Sequence, residues 1–123
     1  MDAFKRVKPL YWVGSSKKDL QEAPSDVQDI FGFALHLAQE GGKHPQAKCL
    51  KGFTGAGVLE VVENHDSDTY RAIYTVSLGA AVYVLHCFQK KSNSGIKTPK
   101  HELDLIKSRL KQAAAHAKGT THD

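Results

Sequence analysis

The chain has 123 residues, 41% apolar and 24% charged, with a net charge of +4 and a pI near 9.1. That length fits one domain with a hydrophobic core of its own, which needs no disulfide or metal staple. The basic balance favours an anionic partner such as RNA, DNA or an acidic protein, and no run approaches the roughly eighteen apolar residues of a membrane span.

Residues 1–8, with Lys5, Arg6 and Lys8, read as a flexible lead-in without the apolar segment of a signal peptide. Cys49 and Cys87 lie far apart and form no C-x-x-C pair. A cytoplasmic protein with reduced thiols is the expectation. Pro9–Val13 (PLYWV) is a short β-prone run, and GSSKKDLQEAP after it is a turn with one helical turn. Pro24 opens a helix over 25–40, with Ser25 as cap and Gln28 three residues on. Val27, Ile30, Phe31, Ala34, Leu37 and Ala38 recur at helical spacing. Gly41 and Gly42 end that helix. The loop GGKHPQAKCLKGFTGAG holds a short extended piece at Cys49–Leu50.

Three strands come next: VLEVVEN (58–64), TYRAIYTV (69–76) and AVYVLHCF (81–88), joined by the turns NHDSD and SLGA. Thr98 and Pro99 then signal a last helix with Leu103, Ile106, Leu110, Ala113 and Ala117 on its buried stripe. Residues 118–123 read as a fraying end. The expected fold is α+β: N-terminal helices, a small antiparallel sheet (a three- to four-stranded meander) and a C-terminal helix, in one domain over 1–123.

Several chemistries are disfavoured by spacing. The seven histidines include no H-E-x-x-H and no Cys/His quartet, so no metal site is expected. KGFTGAG lacks the G-K-[ST] ending of a phosphate loop and precedes a strand rather than a helix. His86 and Cys87 are adjacent in a strand and point to opposite faces, so they make no Cys–His dyad.

What remains is a lysine cluster. From His86 to Glu102 the chain carries Lys90, Lys91, Lys97 and Lys100 and one acid, Glu102, at its end. Lysine and arginine can stabilise the phosphoryl oxygens of an RNA transesterification. A lysine crowded by other cations has its ammonium form disfavoured and becomes a plausible base. Arg71 stands mid-strand, suited to a phosphate fork, and Tyr74 and Phe88 are aromatic groups available to stack on bases. Tyr70 and Tyr74 share one strand face while Arg71 takes the other. The competing reading of the lysine run is a solvated edge that discourages strand pairing.

The order of these motifs resembles the RelE/HigB-type toxins of toxin–antitoxin modules, in the phage-derived branch of the RelE/ParE superfamily. The resemblance rests on Tyr70-Arg71 in a central strand, on Phe88-Gln89-Lys90-Lys91 at a strand end, and on the helix start Lys97-Thr98-Pro99. It runs from about Pro9 to Leu110. It implies a RelE-like fold and a ribosome-dependent mRNA endoribonuclease that needs no cofactor and leaves a 2′,3′-cyclic phosphate or 3′-phosphate and a 5′-OH. By position it implies Arg71 as transition-state stabiliser and Lys90 or Lys91 as base or charge stabiliser. Phe88 would stack on a base, and Lys48 and Lys51, with Lys97 and Lys100, would hold the RNA backbone. The chain has no aromatic residue after Gln89 to match the C-terminal tyrosine of the RelE subgroup. An unperturbed imidazole titrates near neutrality, so His86 is a candidate acid. The implied partners are a cognate helix-turn-helix antitoxin, the ribosome and mRNA, with operator DNA bound by the toxin–antitoxin pair. Two alternatives share the residues: a ParE-like DNA gyrase inhibitor on the same fold, and a non-enzymatic RNA-binding module.

Overall fold

The computed structural model describes residues 7–120 except 54, 56 and 92–97; the side chains of Lys91 and Thr120 also lie outside the described part. Strand β1 (Leu10–Trp12) leads through a turn into helix α1 (Ser16–Gln21) and then α2 (Ser25–Gln39). Strands β2 (Lys48–Cys49), β3 (Val58–His65), β4 (Asp68–Leu78) and β5 (Ala81–Lys91) come after them, and α3 (Lys100–Thr120) closes the chain.

The predicted meander is present as β3–β4–β5, fully antiparallel. Its first hairpin turns at Asp66 and Ser67, both with positive φ (49° and 71°), the backbone that a two-residue turn between right-twisted strands demands. The sheet is larger than the predicted three or four strands. It has five, in the order β1-β5-β4-β3-β2, and β1 runs parallel to β5. Leu10, Tyr11 and Trp12 pair with Val82, Tyr83 and Val84. Local pattern shows that PLYWV is a strand but not which neighbour it takes, because a parallel partner is joined through a long crossover. Here that crossover contains both N-terminal helices.

Side chains alternate across the sheet and build two cores. On one face Leu59, Val61, Ala72, Tyr74, Val82, Val84 and Cys87 pack with Val27, Phe31, Ala34, Leu35 and Ala38 of α2. On the other, Val58, Ile73, Ala81, Tyr83 and Leu85 pack with Ile106, Ala113 and Ala117 of α3. The α2 stripe is turned slightly from the predicted one: Leu35 is buried, while Leu37 is only half-buried. Its start also differs. Pro24 takes the cap position, no side chain caps the helix, and Gln28 donates instead to the carbonyls of Gln21 (3.0 Å) and Ala23 (2.8 Å). In α3, the Glu102 and Leu103 amides donate to the Pro99 carbonyl (both 3.0 Å), so the helix begins one residue later than Thr98-Pro99 implied.

One irregularity decides which side chains of β5 reach α3. The β4–β5 register jumps from Ile73↔His86 to Tyr74↔Val84, leaving Leu85 unpaired as a β-bulge. Leu85 packs in the α3-side core and His86 bonds to α3, so two consecutive residues face the same helix. Beyond the bulge the alternation is reversed, and Phe88, paired with Arg71, also lies on the α3 side.

Candidate functional site

At the end of the sheet beyond the bulge, the α3 face changes from apolar to charged. Glu60 on β3 and Arg71 on β4 form an ion pair, Arg71 Nη1 donating to Glu60 Oε2 at 2.7 Å, with both side chains only 7% exposed. Desolvating two charges is expensive, and their attraction repays it only when the geometry is good. Such a pair contributes little as a folding device. It does hold a guanidinium rigidly on a sheet face, the form in which an arginine is most useful to a phosphate.

Lys90 joins them. It is 7% exposed and paired with Thr69, one residue pair beyond Tyr70↔Gln89. Its pKa is lowered, first by burial and then by the Arg71 guanidinium, with Glu60 pulling the other way. An ammonium disfavoured in this way releases its proton more readily, which suits a general base. A crowded lysine was expected from the sequence; the crowding cation is Arg71 from the neighbouring strand.

His86 and Phe88 complete the patch. Their rings stack at 4.6 Å between centroids and 18° between planes. Phe88 is half-buried and His86 is buried. His86 Nε2 lies 2.6 Å from Glu102 Oε1, and its Nδ1 lies 3.4 Å from Arg109 Nη1. Arg109, itself buried, also donates to the Leu85 carbonyl (2.9 Å) and to Ser15 Oγ (3.1 Å).

The structure thus brings Arg71, Lys90, His86 and Phe88 to one face. It does not bring Tyr74 there. Tyr74 is wholly buried in the α2-side core, its hydroxyl has no hydrogen-bond partner among the described residues, and burial pushes its pKa to about 12. A base cannot stack on it, and the role assigned to it from sequence is withdrawn: alternation placed it opposite Arg71, and the tight cover of α2 closes that face.

The remaining lysines are spread out. Lys48 is exposed on β2 in register with Glu60, hence on the same side of the sheet, and Lys51 is exposed in the turn after that strand. Lys100 is exposed on α3 with its ammonium 2.9 Å from Asp104. Lys91 is the last residue of β5, opposite Asp68, and its side chain lies outside the described residues, as does the whole of Lys97.

Three residues of the candidate site have no role assigned from the sequence: Glu60, Glu102 and Arg109. Each left a signal. Glu60 is an acid within the apolar run VLEVV. Glu102 and Arg109 fall on the stripe 102–106–109–113, whose other members, Ile106 and Ala113, are buried. A charge on a buried stripe is the kind of local conflict that functional sites tolerate.

Among the described residues no group of three or more His, Cys, Asp or Glu is placed to hold a metal ion, and no helix is long and apolar enough to cross a membrane. Cys49 is exposed and Cys87 buried.

No curated protein and no solved structure matches the chain. A family model does, over residues 18–111, which span α1 to the middle of α3 and include every residue of the charged patch. That model describes phage derived Gp49-like proteins (DUF891), known as a family of RelE/HigB-like toxins. With most of its length matched, the chain belongs to the phage derived Gp49-like protein family, whose character is that of the toxin of a toxin–antitoxin module.

Proposed function

We propose that this protein is a ribosome-dependent mRNA endoribonuclease that arrests translation, neutralised by a cognate helix-turn-helix antitoxin, the pair binding its own operator DNA. The observation that carries the reading is the convergence of Arg71, Lys90 and Phe88 on one sheet face, with Arg71 and Lys90 held in a buried setting. Family membership supports the toxin class, and the site supports the reaction.

The chemistry is an in-line attack by a ribose 2′-oxygen on the adjacent phosphorus. The 2′-OH must lose a proton, charge builds on the phosphoryl oxygens, and the 5′-oxygen leaves and takes up a proton from solvent water. The products are a 2′,3′-cyclic phosphate, or the 3′-phosphate from its hydrolysis, and a 5′-OH. Arg71 stabilises the phosphoryl charge in a site with little water, where such stabilisation is strongest. Glu60 keeps the guanidinium aimed before substrate arrives. Lys90, its ammonium disfavoured by burial and by Arg71, receives the 2′-proton. Phe88 stacks on a base and fixes the scissile linkage over these groups. Lys48, Lys51 and Lys100 are exposed and attract the RNA backbone, and Lys91 and Lys97 extend that charge.

The test is a reconstituted translation reaction on a defined mRNA, with 5′ ends mapped by primer extension. Wild type, Lys90→Ala and Lys91→Ala are compared with and without ribosomes. The expected result is wild-type cleavage only with ribosomes, reduced about 100-fold or more by Lys90→Ala. Folded wild type that leaves both message and translation intact would end the reading. A gyrase supercoiling assay would then be the next experiment.

A further inference from the structure

The contacts around His86 point away from proton transfer. Arg109 carries only N–H donors and cannot accept a hydrogen bond. With its Nη1 at 3.4 Å, Arg109 can meet His86 Nδ1 only as a donor, and the contact favours an accepting, unprotonated Nδ1. The ring proton is then on Nε2, and it is directed at Glu102 Oε1, 2.6 Å away. Both nitrogens of a ring only 5% exposed are engaged by the protein. The ring face, by contrast, lies against Phe88 at 4.6 Å.

The clamps are themselves fixed. Glu102 sits in the first turn of α3, and its second oxygen lies 3.5 Å from the exposed His101 ring. Arg109 is tied to the bulge through the Leu85 carbonyl and to the β1–α1 turn through Ser15, whose hydroxyl donates to Asp19 at 2.8 Å. Gly14 makes room for it. Its φ is +58°, and a Cβ there would stand 2.7 Å from Arg109 Nε. The polar chain Glu102–His86–Arg109–Ser15–Asp19 thus joins α3, the bulged strand and the turn into α1.

We propose that Glu102 and Arg109 are positioning residues that lock His86 in its Nε2–H tautomer as a fixed platform for Phe88, so that His86 orients the base-stacking ring and does not donate a proton to the leaving group. The proposal rests on the endoribonuclease reading for its kinetic consequences, but the tautomer lock stands on geometry alone. It replaces the acid role expected for His86 from sequence.

Two measurements test it on the full chain. The first is a long-range proton–nitrogen correlation spectrum of the histidines at neutral pH, with His86→Gln to assign the signal. The expected pattern is a single Nε2–H tautomer, lost in Glu102→Gln or Arg109→Lys. An Nδ1–H tautomer, a doubly protonated ring or an exchanging mixture overturns the lock, whether or not the protein cuts RNA. The second is steady-state cleavage in the reconstituted system. His86→Gln and Phe88→Ala are each expected to raise KM about 5- to 10-fold, by loosening base stacking, with no further rise in the double variant. A loss of about 100-fold or more in kcat for His86→Gln, with KM unchanged and the thermal midpoint retained, is the signature of a general acid and overturns the positioning role. Absence of any wild-type cleavage leaves the spectrum to decide the lock and counts against the endoribonuclease reading alone.

Discussion

The two faces of the sheet solve different problems. Under α2 the buried side chains are almost all apolar, from Val27 and Phe31 to Val61, Val84 and Cys87. Under α3 the same kind of core, around Ile73, Leu85 and Ile106, gives way past the bulge to Glu60, Arg71, His86, Lys90 and Arg109, all buried. One face is what a 123-residue chain needs in order to fold. The other carries five ionisable groups at positions where apolar residues of similar volume would serve stability as well or better. The proposed site rests on that contrast more than on the number of surface lysines.

The sharpest break in the comparison comes from Arg71→Ala. It strands the Glu60 carboxylate in a buried place and is expected to destabilise the fold by about 3–5 kcal/mol, read as the urea midpoint by circular dichroism. The double change Glu60→Leu with Arg71→Met is expected to restore or exceed wild-type stability while abolishing cleavage. Failure of the pair to recover would mean that the charges are structural. On the opposite face Phe31→Ala is expected to cost about 3–5 kcal/mol through the cavity it leaves, with the remaining folded protein cleaving at the wild-type rate.

A smaller effect concerns alkaline pH. Burial pushes Cys87 from 9.0 to about 12 and Tyr74 from 10.0 to about 12, so the folded protein keeps two protons that the unfolded chain releases earlier. Their contribution to stability is fully present below about pH 9 and falls as the pH rises to about 12. Lys90, lowered from 10.5, acts in the opposite sense: its deficit of stability appears as the pH falls below that value. Denaturation curves at successive pH values should therefore flatten on the alkaline side in Cys87→Ala and in Tyr74→Phe. Tyr74→Phe should also gain about 1 kcal/mol near neutrality by removing a buried hydroxyl that has no partner among the described residues. A loss of RNA cleavage in Tyr74→Phe would contradict its place in the core. The smallest change is expected from Lys100→Ala. Its exposed pair with Asp104 should leave the unfolding midpoint unmoved, while RNA affinity falls slightly and becomes less dependent on salt.

Much of this could be read from the residues. The three long strands, both long helices and the stripe Leu103–Ile106–Leu110–Ala113–Ala117 are legible in the periodicity, since a face must be apolar to be buried. Arg71 was visible as a charge within a β-prone run, and its face opposite Tyr74 was given by alternation. Glu60 was just as visible in principle, but one acid in VLEVV gains meaning only when its partner is known to stand on the next strand. The histidine clamp was less accessible still, because Glu102 and Arg109 belong to an element that meets β5 only after the chain has folded back.

Sequence by itself determined the strand and helix content, the tight turns at Asp66-Ser67 and Gly79, and the candidate residues Arg71, Phe88 and Lys90. These depend on local backbone preference and hydrophobic period, which act over a few residues. The tertiary structure alone decided that β1 lies parallel to β5, that Glu60 holds Arg71, and that Leu85 is extruded as a bulge. The bulge matters most, because one extra residue reverses the alternation and sends His86 and Phe88 to the α3 face beside Arg71. Register is a property of pairs of strands, so no single segment of sequence contains it.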